Sequence, residues 1–252
     1  MSAALSAIAA PLTGVSAPLA AAGPSVLWYL TRATGAVSLL LLTGSLVLGV
    51  ADVRRLSTAR WPRFMIDSLH RSVSLLAVVF LGVHILTSVL DSFVSISLVN
   101  AVVPFTGSYR PLWLGLGAVA FDLMLAVVFT SLLRGRIGYA GWRAVHWLAY
   151  ASWPLALVHG LGTGSDVHSG WLLVLSVICG LAVVAAVLSR VLSGWPAGAM
   201  GRRVGLAATA AFAIFLLAWL PVGPLGSEWA RRSGTPSSLL GHTTNSSKGE
   251  TR

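Results

Sequence analysis

The chain has 252 residues, of which 56% are hydrophobic and only 10% charged. Soluble domains carry about 25% charged residues, so this composition excludes a soluble globular protein and points to a chain that lives in a bilayer. The formal net charge of +10 does not mark a nucleic-acid binder, because the arginines cluster in short loops between apolar runs, where the positive-inside rule puts them.

Residues 1–25 are rich in Ala, Ser, Pro and Gly and hold no Lys or Arg. A cleaved secretory signal needs a positive n-region, so this stretch reads as a flexible lead-in. Six apolar segments follow, over about 26–50, 66–90, 111–133, 142–161, 171–192 and 204–222. Each is long enough to span a bilayer as a helix. The predicted fold is an all-α, integral membrane six-helix bundle over 26–222. Residues 223–252 read as a polar, disordered tail. Trp28, Trp61, Trp113, Trp142, Trp171 and Trp219 fall at or near the predicted ends, as an aromatic belt requires.

The loops predict the orientation. Arg54, Arg55, Arg60 and Arg63 follow span 1, Arg134, Arg136 and Arg143 follow span 3, and Arg190, Arg202 and Arg203 follow span 5. The alternate loops carry Arg110 alone. The arginine loops are therefore expected on the cytoplasmic side of a bacterial cytoplasmic membrane, with both termini outside. Arg231, Arg232, Lys248 and Arg252 run against this rule, but they follow the last span and weigh less.

Span 2 carries His70 and His84, fourteen residues apart. That spacing is almost four turns, so both imidazoles leave one face, about 21 Å apart along the axis. Span 4 carries His146 and His159, thirteen apart. Histidine inside a membrane is costly and marks a functional partner. Spans 2 and 4 run parallel, which pairs His70 with His146 and His84 with His159. Two imidazoles on opposite sides of one iron are the axial ligands of a b-type haem. These four histidines are the predicted metal ligands of two bis-histidine haem b groups. On an ideal helix His146 and His159 stand about 140° apart in azimuth. Pro154 lies between them and is the expected phase corrector, through a kink or a tighter turn.

The segments WYLTRATGAVSLLLLTGSLVLG, SLLRGRIGYAGWRAVHWLAY and LVHGLGTGSD, together with the His70–His84 spacing, resemble the ferric-reductase-like transmembrane domain. That superfamily includes ferric reductases, NADPH oxidases and the haem-binding membrane subunit of the bacterial methionine-sulfoxide reductase system. The resemblance covers about 26–222. It implies two b haems stacked across the membrane and electron transfer between its faces. Ferric reductases and NADPH oxidases carry a C-terminal flavin and nicotinamide domain. Here about thirty polar residues follow span 6, and no G-x-G-x-x-G follows a strand. The expected donor is therefore a separate flavoprotein or a quinol, and the acceptor lies on the extracytoplasmic side.

Other polar residues carry weaker signals. Arg32 shares a depth with His84 and is expected to hold a propionate of the outer haem; the plain alternative is snorkelling to the headgroups. Arg71 could reach a propionate or a cytoplasmic headgroup. Asp122, mid-span, is a structural acid or a station on a proton route to a quinone. His168 beside Asp166 reads as a solvated loop residue, His242 as a tail residue, Trp147 and Trp153 as packing, and Cys179 as a small packing residue. No catalytic side chain is assigned. Two rival functions stay open: a quinol-linked cytochrome b subunit, and a haem-free transporter using the histidines for protons or metal.

Overall fold

The computed structural model describes residues 25–56, 61–92, 94, 96–164, 166–193 and 199–240. The lead-in falls outside them but for Ser25, as do His242, Lys248 and Arg252. Every regular element among the described residues is helical. In order they are α1 (Val26–Val53), α2 (Arg63–Leu90), the short α3 (Leu98–Val102), α4 (Pro111–Leu132), α5 (Arg134–His146), α6 (Ala149–Thr163), a 3-10 turn (Asp166–Ser169), α7 (Trp171–Leu192), α8 (Ala199–Val222), α9 (Trp229–Arg232) and α10 (Ser237–Leu240). Their backbone polar groups are satisfied internally, and large apolar side chains such as Leu75 (69% exposed) and Leu217 (75%) face outward. A bilayer permits that combination and water does not.

Among the described residues, five helices are long and apolar enough to cross a membrane: α1, α2, α4, α7 and α8. The continuous fourth span expected over 142–161 is corrected: it is divided between α5 and α6. Pro154 explains the division. Proline has no N–H, so the Tyr150 carbonyl loses its helical partner, and the ring crowds that carbonyl. The backbone responds on the N-terminal side. The amides of Leu148, Tyr150 and Ala151 donate to carbonyls three residues back, at 2.9, 3.0 and 3.0 Å, before Ser152 returns to the four-residue pattern at 2.8 Å. Trp147 (φ −62, ψ −23) and Leu148 (φ −61, ψ −20) hold 3-10 dihedrals. Each tightened residue adds about 20° of winding, which narrows the angular gap between His146 and His159.

α1 and α2 make the most extensive helix pair, followed by α4 with α6. The α1 face toward α2 is built from small residues: Thr34 and Ser38 are buried there, and the Ser45 and Ser74 hydroxyls meet at 2.7 Å. Small side chains let two backbones approach closely where lipid gives no hydrophobic drive between helices. Thr34 and Thr43 return their hydroxyls to the carbonyls of Leu30 (2.6 Å) and Leu39 (2.8 Å). A second apolar layer gathers Trp153, Leu157 and Leu161 of α6, Val167, and Cys179 and Val183 of α7, with Leu39, Leu42 and Leu46 of α1 and Phe212, Leu216, Trp219 and Leu220 of α8 against it. Cys179 and Trp153 are thus core residues, and Trp153 donates to Thr43 Oγ1 at 2.9 Å.

The stretch expected as a disordered tail departs from that expectation up to residue 240, because it folds back into α9 and α10. Arg110 ties it down. Its backbone is left-handed (φ 41), it precedes Pro111 at the first turn of α4, and it is 5% exposed. Its N–H donates to Gly234 O at 3.0 Å, its Nε to Thr235 Oγ1 at 3.0 Å, and its Nη1 to the carbonyls of Gly162 (3.0 Å) and Thr163 (3.2 Å). Trp229 Nε1 reaches the same Gly162 carbonyl at 3.2 Å. Trp113 and Trp219, expected in an interfacial belt, stack on each other at 4.9 Å, with Trp229 5.1 Å from Trp113.

Candidate functional site: two facing histidine pairs

The four helical histidines come together as two pairs. The ring centroids of His70 and His146 lie 6.5 Å apart at 78°, and those of His84 and His159 lie 6.4 Å apart at 82°. α2 carries His70 and His84, while His146 ends α5 and His159 lies on α6; α2 is not closely packed on α5 or α6. α2 leans on α1, and α6 on α4. The rings therefore meet across a gap.

Three of the four histidines are supported in one recurring way, two by α1 and one by α4. His84 Nδ1 lies 2.8 Å from the Thr31 carbonyl, His70 Nδ1 2.9 Å from the Ser45 carbonyl, and His159 Nδ1 2.9 Å from the Trp113 carbonyl. Four residues after each carbonyl stands a glycine: Gly35, Gly49 and Gly117. In a helix a Cβ at that position would shield the carbonyl one turn below. Its absence lets the imidazole lie flat on the backbone and reach that oxygen. A Cβ at Gly35 would stand 3.0 Å from His84 Cε1, and one at Gly49 would stand 3.2 Å from His70 Cε1. At Gly117 it would fall among the ring atoms of His159, 2.6 Å from Cε1. An imidazole that donates from Nδ1 to a carbonyl keeps its Nε2 lone pair for a metal and is the more basic for it.

His146 is the exception. Its Nδ1 is buried with no hydrogen-bond partner. It sits at the end of α5, where the tightened turn begins, and α4 has no glycine after Gly117. Its ring stacks instead on Trp142, centroids 4.7 Å apart at 28°.

A cavity of about 310 Å³ surrounds the His84 and His159 rings, walled by Gly35, Leu39, Phe121, Met124 and Ala156 among others. Arg32, Trp28 and Tyr109 also line it, and the Arg32 guanidinium lies 4.0 Å over the Trp28 ring. Thr31 Oγ1 and Ser38 Oγ, both on this wall, are buried without a partner in the protein. These residues fit a haem. A metal about 2 Å from each of two Nε2 atoms places imidazole centroids about 6.3 Å apart, close to both spacings found. The cavity wall is mainly apolar, and among its polar residues Arg32 and the Thr31 hydroxyl offer donors suited to a carboxylate. Among the described residues no group of three or more His, Cys, Asp or Glu converges.

The remaining sequence candidates stand apart. Asp122 is half-exposed on α4 and absent from the cavity wall that Ala118, Phe121 and Met124 form. His168 is exposed in the 3-10 turn and does not reach the cavity. Arg71 pairs with Asp67 at 3.0 Å one turn away, both well exposed, a contact worth little in stability. Trp147 stacks on Tyr150 at 5.2 Å. Sequence reasoning missed Arg190, read there only as a loop charge. It is buried, donates to Tyr150 Oη at 2.6 Å and lies 4.9 Å over the Trp147 ring. It also missed the glycines. The available signal was their period: Gly35 and Gly49 are fourteen apart, like the histidines they receive.

The family model described as "Ferric reductase like transmembrane component" matches residues 33–157, which include His70, His84 and His146 and end two residues before His159. No curated protein and no solved structure matches the chain significantly.

Proposed function

Residues 33–157 belong to the ferric-reductase-like transmembrane family, and from that premise we propose that this transmembrane electron-transfer component is a two-haem b-type carrier working between the two faces of a bacterial cytoplasmic membrane. The observation that carries the reading is the two pairs of facing imidazoles, at 6.5 and 6.4 Å. His70 and His146 would hold one haem, His84 and His159 the other. Each haem, when bound, would supply a one-electron iron couple. The carbonyls of Thr31, Ser45 and Trp113 hold three of the imidazoles with Nε2 free to ligate. Two imidazoles per iron leave no position for substrate, so the residues favour electron passage over chemistry at the metal.

Arg32 is placed to hold a propionate of the haem at the His84 end, with the Thr31 hydroxyl beside it. Arg32→Ala is then expected to lower the reduction potential of that haem, because losing a nearby positive charge disfavours the added electron. A redox titration showing both haems unmoved would assign Arg32 to the headgroups alone.

The arginine loops flank the His70 end and are taken as cytoplasmic. Such a basic surface suits docking of an acidic flavoprotein, steered by charge and weakened by salt. The acceptor would then approach the His84 end, past residues 160–170. Quinol oxidation is the rival route, but Asp122, the acid it would enlist, lies off the cavity wall. A metal-coupled transporter is disfavoured because the described histidines meet only in twos. The test is haem reduction in proteoliposomes of known orientation, with a reduced flavoprotein or a quinol analogue. Salt-sensitive reduction from the basic face is expected. Rapid, salt-insensitive reduction by quinol alone would remove the soluble donor, and a folded but colourless protein would remove the haem reading.

A further inference from the structure

The four histidines are not held alike. Three have Nδ1 fixed by a backbone carbonyl at 2.8–2.9 Å beside a glycine. His146 has a buried Nδ1 with no such partner and a ring lying along Trp142. Trp142 is itself anchored. Its Nε1 donates to Ser131 Oγ at 3.2 Å, Ser131 Oγ donates to the Val127 carbonyl at 2.7 Å, and the Arg134 guanidinium lies 4.4 Å over the indole.

We propose that Trp142 is the positioning residue for His146, fixing by ring stacking the one imidazole that no carbonyl holds. The inference rests on the two-haem reading above. A stack sets the plane of a ring but not its rotation within that plane, whereas a hydrogen bond at Nδ1 sets both. His146 is therefore the most weakly directed of the four ligands. Without a carbonyl at Nδ1 it is also the poorest electron donor to a metal. The site at the His70 end depends on an indole where the site at the His84 end depends on backbone.

The experiment uses the full chain, purified in detergent with its haem, and carbon monoxide as the probe of ligand loss. Wild type is expected to give low-spin electron paramagnetic resonance signals from both haems and no carbon monoxide adduct on reduction. Trp142→Ala is expected to bind one carbon monoxide per chain, or to lose the haem at the His70 end alone, with the other signal unchanged. Trp142→Leu keeps the bulk without the ring plane and should behave like the alanine variant if that one folds poorly. Trp142→Phe keeps a stacking ring and should behave like wild type. Alanine and leucine variants that stay inert to carbon monoxide with both signals unmoved would overturn the proposal. Wild-type protein without low-spin bis-histidine signals would instead overturn the two-haem reading, leaving no ambiguity between the two failures.

Discussion

Alanine at His84 or at His159 is expected to remove one and the same haem, and alanine at His70 or His146 the other. Each single substitution should lower the haem content from two per chain to one, measured by pyridine haemochrome. Redox titration or low-temperature spectra should identify which component is gone. The argument is geometric. The rings pair at 6.4 and 6.5 Å, and a bis-histidine haem that loses one ligand keeps only half its protein bonds. The double variant His84→Ala/His159→Ala should look like either single one, because the two side chains act as a unit and their effects do not add. If His84→Ala and His159→Ala removed different components, the pairing across α2 and α6 would be wrong.

Gly117→Ala should be nearly as damaging, although it changes no ligand. The added methyl would fall among the ring atoms of His159, 2.6 Å from Cε1 and 2.8 Å from Cγ. Either α4 moves away or the imidazole abandons the Trp113 carbonyl. Overpacking of this kind costs about 1–3 kcal/mol and the lost hydrogen bond about 1. Together they weaken haem binding at the His84 end roughly 30- to 700-fold. Gly35→Ala and Gly49→Ala, whose nearest approaches are 3.0 and 3.2 Å, should shift the spectrum of their haem and retain it. Gly82 and Gly180 have nothing within 4 Å, so alanine there is the control. Haem titration into the apoprotein gives the ranking. Equal effects at Gly82 and Gly117 would mean that helix propensity, not the cradle, explains the loss.

The histidine pairing was legible in the sequence because it rests on periodicity, and a helix converts spacing into direction with little help from context. α1, α2, α4 and α7 were legible for the same reason that bilayer length is a composition signal. The fourth span was less so. Pro154 announced a distortion, but the consequence falls at 147–151 because proline disturbs the carbonyl four residues before it, and it shows as a break between α5 and α6. The glycine cradles went unread because a glycine in an apolar helix resembles any other small interface residue until its partner is known. α9 and α10 were missed because their composition is that of a tail. What folds them is the long-range contact from Arg110 to Gly234 and Thr235, which local pattern does not carry. Trp113 and Trp219 sat where a belt would put them and turned inward to each other instead.

The Arg110 knot also has a meaning in time. The carbonyl of Gly162, three residues after His159, is held by Arg110 and by Trp229, and Arg110 is itself seated by Gly234 and Thr235. Trp229, Gly234 and Thr235 all leave the ribosome after α8, the last of the long helices. The pocket at the His84 end is therefore finished only after every long helix has been made. The pair at the His70 end has no such wait: His70, His146, Trp142 and the Ser45 carbonyl are all synthesised before α7 begins. Assembly of the two sites is thus sequential by construction, and the His84 end matures last.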